Sequence, residues 1–318
     1  LPGIFAKKKI PKHSFYNRAE RQKKYLRCEG GGGTIVKVFE KRLNDVWFTE
    51  KQTPNMNLSL KITEILRNME TPYQSLMVAE SLEYGRFLVL DGAIQITERD
   101  EFTYHEMMAH LLLCSHPDPK RILVVGGGDG GIVREIVKHD VPEEVFLVDI
   151  DEEVTRASRE FFPSVSCGLE DPRVTVLHRD ALEFMKERSN YFDIIIVDST
   201  DPVDFAAGLF QAPFYRDVFE ALREDGMIVG QTESPFAEED LLRDTYREMS
   251  SVFPSVYVAW GAMPTYPTGM WTYMVGSKKP DPRRPLRQVP RETRYYSEKI
   301  HEFSFVLPPF LKKILDPA

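Results

Sequence analysis

Cysteine is scarce in this chain. Cys28, Cys114 and Cys167 are its three cysteines in 318 residues, too few and too scattered for a disulfide framework or a cysteine metal cluster, which fits a reducing cytosol. No apolar run approaches the roughly 20 residues of a membrane-spanning helix, so no membrane segment is expected. Positive charge is also lacking overall. The formal net charge is −8, and the basic residues Lys7, Lys8, Lys9, Lys12, Arg18, Arg21, Lys23, Lys24 and Arg27 crowd the start. The remainder is therefore more acidic than the total, a balance that disfavours nucleic acid and attracts cations. What is present, 42% hydrophobic and 28% charged residues, is ordinary for a globular protein with one large domain and a smaller one.

Leu1 is not an initiator residue, so the chain is expected to be a truncated or processed product. Residues 1–44 read as a flexible basic arm ending in the glycine run Gly30 to Gly33. A solvated tail, an interaction arm and a targeting remnant all stay open for it, and no chemistry is assigned there. Residues 45–100 read as a small antiparallel β domain: VWFTE, LSLKITEIL, QSLMVAES, RFLVL and AIQIT, the last two joined by the hairpin turn Asp91-Gly92. Residues 101–318 read as a catalytic domain with a C-terminal extension. An amphipathic helix is expected over Glu101 to Cys114, carrying His105 and His110. Five residues apart, these lie about 140° around a helix and cannot both ligate one metal, so no metal site is assigned.

The stretch RILVVGGGDGG, Arg121 to Gly131, organises the rest. An apolar run suited to a buried parallel strand leads into glycines, and Gly126, Gly128 and Gly131 match G-x-G-x-x-G ahead of a helix reaching His139. Asp129 is the unusual member. A carboxylate here would repel a pyrophosphate, which points to a cationic ligand; an exposed Asp in a tight turn is the other reading. Further on, EVFLVD, VTVLH, FDIIIVD, GMIVGQ, VYVAW and WTYMVGS alternate with helical segments such as EEVTRASREFF and APFYRDVFEALRED. That alternation implies an α/β fold with a doubly wound parallel sheet, whose ligands bind beyond the carboxyl ends of the strands. Acids stand there repeatedly: Asp129, Asp149 and Asp151, Asp180, then Asp198 and Asp201, with Gln231 and Glu233 after the fifth strand. Asp151 also suits a helix cap.

The motifs VLDGAIQITERDEFTYHEM, HPDPKRILVVGGGDGGIVREIVKH, DIIIVDSTDP, PTYPTGMW and RYYSEKIHEFSFVLP resemble those of the spermidine synthases, the polyamine aminopropyltransferases, from Val46 to the end. The resemblance implies a Rossmann-like sheet of the S-adenosylmethionine-methyltransferase kind. It also implies transfer of an aminopropyl group from decarboxylated S-adenosylmethionine, a co-substrate rather than a cofactor, to a diamine, with spermidine and methylthioadenosine as products. Putrescine is the expected acceptor, with agmatine, cadaverine or a longer polyamine as alternatives; a diamine N-methyltransferase or a silent scaffold stand behind them. A cytoplasmic homodimer or homotetramer is implied.

By the same resemblance, Gln74, Leu90, Gly126, Gly128, Asp129, Asp149, Asp180 and Ala181 surround the donor. Asp149 stands about twenty residues beyond the glycines, placed for ribose hydroxyls. Asp129 would meet the donor's ammonium and reject the carboxylate of intact S-adenosylmethionine, since like charges about 4 Å apart repel by about 4 kcal/mol at an effective dielectric of ~20. Asp198 is the candidate general base for the acceptor amine, with Tyr104, His105, Asp201, Glu233, Tyr266 and Trp271 around the acceptor. Ala181 stands where Gly is more usual, Asp149 where many relatives carry Glu, and Asp204-Phe205 where many carry Gly-Pro, a change that touches acceptor choice and loop gating.

Overall fold

The computed structural model describes residues 46–199 and 211–316. The expectations for residues 1–44 and for Asp201, Asp204 and Phe205 lie outside the described residues.

Period-two patterning builds the first sheet. Strands β1 (Trp47–Thr53), β2 (Met56–Glu70), β3 (Ser75–Ser81), β4 (Gly85–Leu90) and β5 (Ala93–Thr97) pair antiparallel in chain order. Alternate residues serve two clusters. Leu76, Val78, Leu88, Leu90 and Ile96 pack with Val154, Ala157, Phe162 and Val165 of the following domain, while Ala79, Phe87, Val89 and Ile94 pack with Leu60 and Ile62. Asp91 and Gly92 have φ of 47° and 83°, both left-handed as the tight hairpin turn requires. The Asp91 carboxylate also accepts the Ser75 N–H at 2.8 Å, which ties the turn to β3.

The second sheet contains β6 (Arg121–Gly126), β7 (Glu144–Asp149), β8 (Val174–His178), β9 (Phe192–Asp198), β10 (Leu222–Gln231), β11 (Ser255–Ala262) and β12 (Met270–Ser277), in the order β11-β12-β10-β9-β6-β7-β8. Strands β10, β9, β6, β7 and β8 run parallel, whereas β12 is antiparallel to both neighbours. The sheet is therefore mixed rather than wholly parallel. Seven residues without an α-helix connect β11 to β12, too few for a crossover, so the chain turns straight back.

Helices cover both faces. One face carries α1 (Glu101–Leu113) and α2 (Gly131–Val137) over Ile122, Val124, Ile194 and Ile196. The other carries α5 (Ala181–Lys186), α6 (Ala212–Ala221), α7 (Glu239–Ser250) and α9 (Pro309–Leu315) over Leu123, Val125, Ile195 and Val197. Helices α3 (Glu152–Phe161), α4 (Pro163–Ser166) and α8 (Glu298–Ser304) are the other α-helices among the described residues.

Two local readings are corrected. The segment Leu222 to Asp225, expected to continue α6, opens β10 through a register shift between Leu222 and Met227. Helix α1 is not amphipathic, because every residue but Phe102 is buried. Its polar residues look solvent-facing in sequence yet meet distant partners: Glu106 alone accepts the backbone N–H groups of Arg294, Tyr295 and Tyr296 at 2.7 to 2.8 Å. No helix among the described residues is long and apolar enough to cross a membrane.

Candidate active site

The strand order reverses at β6, whose neighbours β9 and β7 continue in opposite directions along the sheet. The crevice beyond its carboxyl end is where such sheets take ligands. The glycine loop lies there. Gly126 has φ of 75° and sits against the backbone of Asp198, so close that a Cβ would strike the Asp198 carbonyl. This approach lets the Gly127 N–H donate to the Asp198 carbonyl at 3.1 Å and brings the tips of β6 and β9 together.

Three carboxylates converge on this crevice. Asp149, at the end of β7, accepts the Gly128 N–H at 2.9 Å and the Asp151 N–H at 2.8 Å. The Gly128 amide is thus spent on Asp149, and a Cβ at this glycine would strike the Asp149 carboxylate and Val154. Asp198, at the end of β9, accepts the Tyr104 hydroxyl on Oδ1 at 2.6 Å, and no other protein group among the described residues bonds its Oδ2. Asp129, 8% exposed, accepts the Gly131 N–H on Oδ1 at 2.7 Å. Burial, reinforced by the Asp129 charge, pushes Asp198 up to about 7 against the opposing pull of Tyr104 and His105. Burial likewise raises Asp149 to about 6, although the two backbone N–H groups work against it. Like charges crowded in a half-buried crevice favour a cationic occupant.

The expected donor residues fall into place unequally. The Gln74 amide donates to Asp151 Oδ2 at 2.9 Å, beside Asp149, and Asp151 caps α3 by accepting the Glu153 N–H. Leu90 is buried where the small sheet meets α3. Asp180 is exposed and caps α5, accepting the Leu182 N–H at 2.7 Å, with Ala181 as the first helical residue. Among the described residues, no hydrogen bond or ion pair joins these two to the three carboxylates.

On the acceptor side, Tyr104 stands between Tyr266 and Tyr273, with ring centroids 5.6 and 6.0 Å away, and Tyr266 meets Trp271 edge-on at 4.7 Å. The Tyr266 hydroxyl is committed to the Gln95 carbonyl at 2.6 Å, so this residue offers its ring face. Trp271 Nε1 and the Tyr273 hydroxyl are buried with no partner among the described residues. Glu233, 5% exposed with φ of 63°, follows β10 and holds Thr272 through its carbonyl. His105, expected beside the acceptor, is fully enclosed, its two ring nitrogens 2.6 Å from Glu101 and 3.3 Å from Asp129.

Sequence reasoning missed Glu101, Arg134 and Tyr273. The Glu101–His105 spacing of four is a visible signal, since residues so spaced share a helix face. One trio, His116, Asp193 and Asp225, brings ligand-type atoms within 4.8 Å at the opposite, amino edge of the sheet. It is closed by protein bonds. His116 Nδ1 accepts the Asp118 N–H, Nε2 donates to the Asp225 carbonyl, and Asp193 accepts the Lys120 and Arg121 N–H groups.

Comparison with known proteins agrees with this geometry. The spermine/spermidine synthase domain matches residues 101–285, and the spermidine synthase tetramerisation domain matches residues 46–98. The polyamine aminopropyltransferase of Caldicellulosiruptor saccharolyticus is 47% identical over 274 residues, covering 86% of this chain and 99% of the relative. That of Bacillus subtilis is 42% identical over 275 residues, covering 86% and 100%. The solved spermidine synthase from Thermotoga maritima superposes with a TM-score of 0.83 at 39% identity, over 87% of this chain and 97% of that one. A spermidine synthase in complex with the transition-state analogue AdoDATO gives 0.84 at 38% identity, with the same coverage. With its two domains matched and relatives covered almost end to end at 42 and 47% identity, the chain belongs to the spermine/spermidine synthase family, the polyamine aminopropyltransferases.

Proposed function

We propose that this enzyme transfers the aminopropyl group of decarboxylated S-adenosylmethionine to putrescine, giving spermidine and methylthioadenosine. The observation that carries this reading is the convergence of Asp129, Asp149 and Asp198 on one crevice, with Asp149 and Asp198 pushed up by burial and like charge. A donor carrying a sulfonium and an ammonium, with a diamine beside it, supplies the missing positive charge. Asp129 receives the donor's ammonium and Asp149 its ribose hydroxyls, with Gln74, Leu90, Asp180 and Ala181 around the nucleoside. Tyr104, Tyr266 and Trp271 enclose the methylenes of the acceptor, whose far ammonium meets Asp201 and Glu233.

The acceptor nitrogen attacks the aminopropyl carbon next to sulfur. The C–N bond forms as the C–S bond breaks, the electron pair moves to sulfur, and the sulfonium becomes a neutral thioether. The nitrogen's surplus proton passes to Asp198 Oδ2, while the Tyr104 hydroxyl holds Oδ1 at 2.6 Å. A carboxyl held at about 7 is matched to proton transfer at neutral pH. The sulfonium is itself a good leaving group, so the reaction rests on alignment and one base, and no cofactor enters the scheme. The matched tetramerisation domain supports a homo-oligomer.

The test is incubation with decarboxylated S-adenosylmethionine and a panel of putrescine, cadaverine, agmatine and spermidine, with products identified by mass. Spermidine and methylthioadenosine are expected, with putrescine the best acceptor. A specificity constant for another amine about tenfold higher would overturn the acceptor, because one methylene in a pocket is worth only about 1–3 kcal/mol. A methylated amine formed from intact S-adenosylmethionine would overturn the transfer itself.

A further inference from the structure

Behind the Asp129 carboxylate stands a buried relay of alternating charge. His105 Nε2 lies 3.3 Å from Asp129 Oδ1, and His105 Nδ1 lies 2.6 Å from Glu101 Oε2. Glu101 in turn is gripped by the fork of Arg134, whose two terminal nitrogens stand 3.0 and 2.8 Å from its oxygens. A Cβ on Gly131 would run into the His105 ring, so the last glycine of the loop motif makes the space for this relay. Beyond Glu101 and Arg134 the relay ends at an outer cavity of about 600 Å³.

Building on the proposed function, we infer that Glu101 is a positioning residue. Through His105 it fixes the Asp129 carboxylate with Oδ1 turned to the His105 ring and the Gly131 amide, which leaves Oδ2 to receive the donor's ammonium. A short aspartate at the mouth of a glycine loop otherwise rotates freely. Here its orientation is set by an imidazole that is hydrogen-bonded through Nδ1 to a carboxylate locked to a guanidinium and that turns Nε2 to Asp129 at ion-pair distance. The groups facing His105 are Glu101 and Tyr104 from α1, Asp129 and the Gly131 backbone from the loop and α2, and, further off, Asp198 from β9. Burial alone would lower His105, but Asp129 and Glu101 outweigh it and raise it to about 10, while His105 and Arg134 hold Glu101 down at about 2 against burial.

Glu101→Gln tests this, because it keeps shape while removing the charge that holds the imidazolium. Calorimetric titration of the full chain with decarboxylated S-adenosylmethionine should show about tenfold weaker binding, the scale of one charge-assisted contact. Methylthioadenosine lacks the ammonium and should bind within about twofold of wild type. Equal weakening of both ligands would show a merely structural role and overturn the inference; an unchanged affinity for the decarboxylated donor would overturn it as well. A wild-type protein that binds methylthioadenosine but no decarboxylated donor would sink the proposed function first, and the inference with it. Should the variant fail to fold, nitrogen-15 spectra of wild-type histidines decide. The His105 ring should be an imidazolium at about pH 8, where an ordinary histidine near ~6.5 is neutral; a neutral His105 there would overturn the inference.

Discussion

Replacing Asp198 by Asn should stabilise the empty enzyme while disabling it. In the folded chain the Asp198 carboxyl sits at about 7 against an ordinary 3.8, through burial and the nearby Asp129 charge. Between those values the folded state keeps a proton that the unfolded state has released, so this group's stabilisation is full below the ordinary value and is lost as pH rises through about 7. The difference corresponds to about 4 kcal/mol at most at alkaline pH. Asn keeps the Tyr104 contact without the charge, and Asp149 and Asp129 share the repulsion, so about half, some 2 kcal/mol, should be recovered. For a chain of this size that is a Tm gain of about 3 °C, present at about pH 8 and absent at about pH 4. Differential scanning of apo wild type and variant across pH measures it, and turnover should fall about 100-fold or more. A variant no more stable than wild type, or a gain independent of pH, would refute the placement of a strained carboxylate there. Wild-type turnover would refute its role as base.

Asp129→Asn should narrow the preference for decarboxylated over intact S-adenosylmethionine by about tenfold or more, since it removes an attraction to one and a repulsion from the other; competitive titration measures the ratio. Tyr104→Phe removes a hydrogen bond that favours the Asp198 carboxylate, so the rising limb of the rate profile should move alkaline by up to about one pH unit, visible in kcat/KM against pH. Deleting residues 1–44 should leave kcat unchanged within about twofold, because the matched domains begin at residue 46 and hold every assigned group. A specific-activity assay on the folded truncation checks this.

Strands β6 and β9 were legible because parallel strands buried on both faces read as unbroken apolar runs, and the β4–β5 hairpin was legible because Asp91-Gly92 sets its turn locally. The reversal of β12 was not, since strand direction resides in the connection and not in the strand's own pattern. The burial of α1 escaped for a related reason. Glu101, His105, Glu106 and His110 look like a solvated face, and only long-range partners make them internal: Arg134 for Glu101, Asp129 for His105, the backbone of 294–296 for Glu106, and Glu135 with His139 for His110. Within the site, the acids at strand ends were visible one by one. Their mutual repulsion was not, because it depends on Gly126 letting β6 and β9 close together.

Crowded carboxylates in the empty crevice await a cationic donor, so its binding should release protons. Near pH 6.5, between the about 6 of Asp149 and the about 7 of Asp198, both groups are partly protonated in the empty crevice. Calorimetric titration with decarboxylated S-adenosylmethionine in buffers of different ionisation enthalpy should show release on the order of one proton per site, and distinctly less with uncharged methylthioadenosine. No release, or proton uptake, on binding the cationic donor would contradict the account.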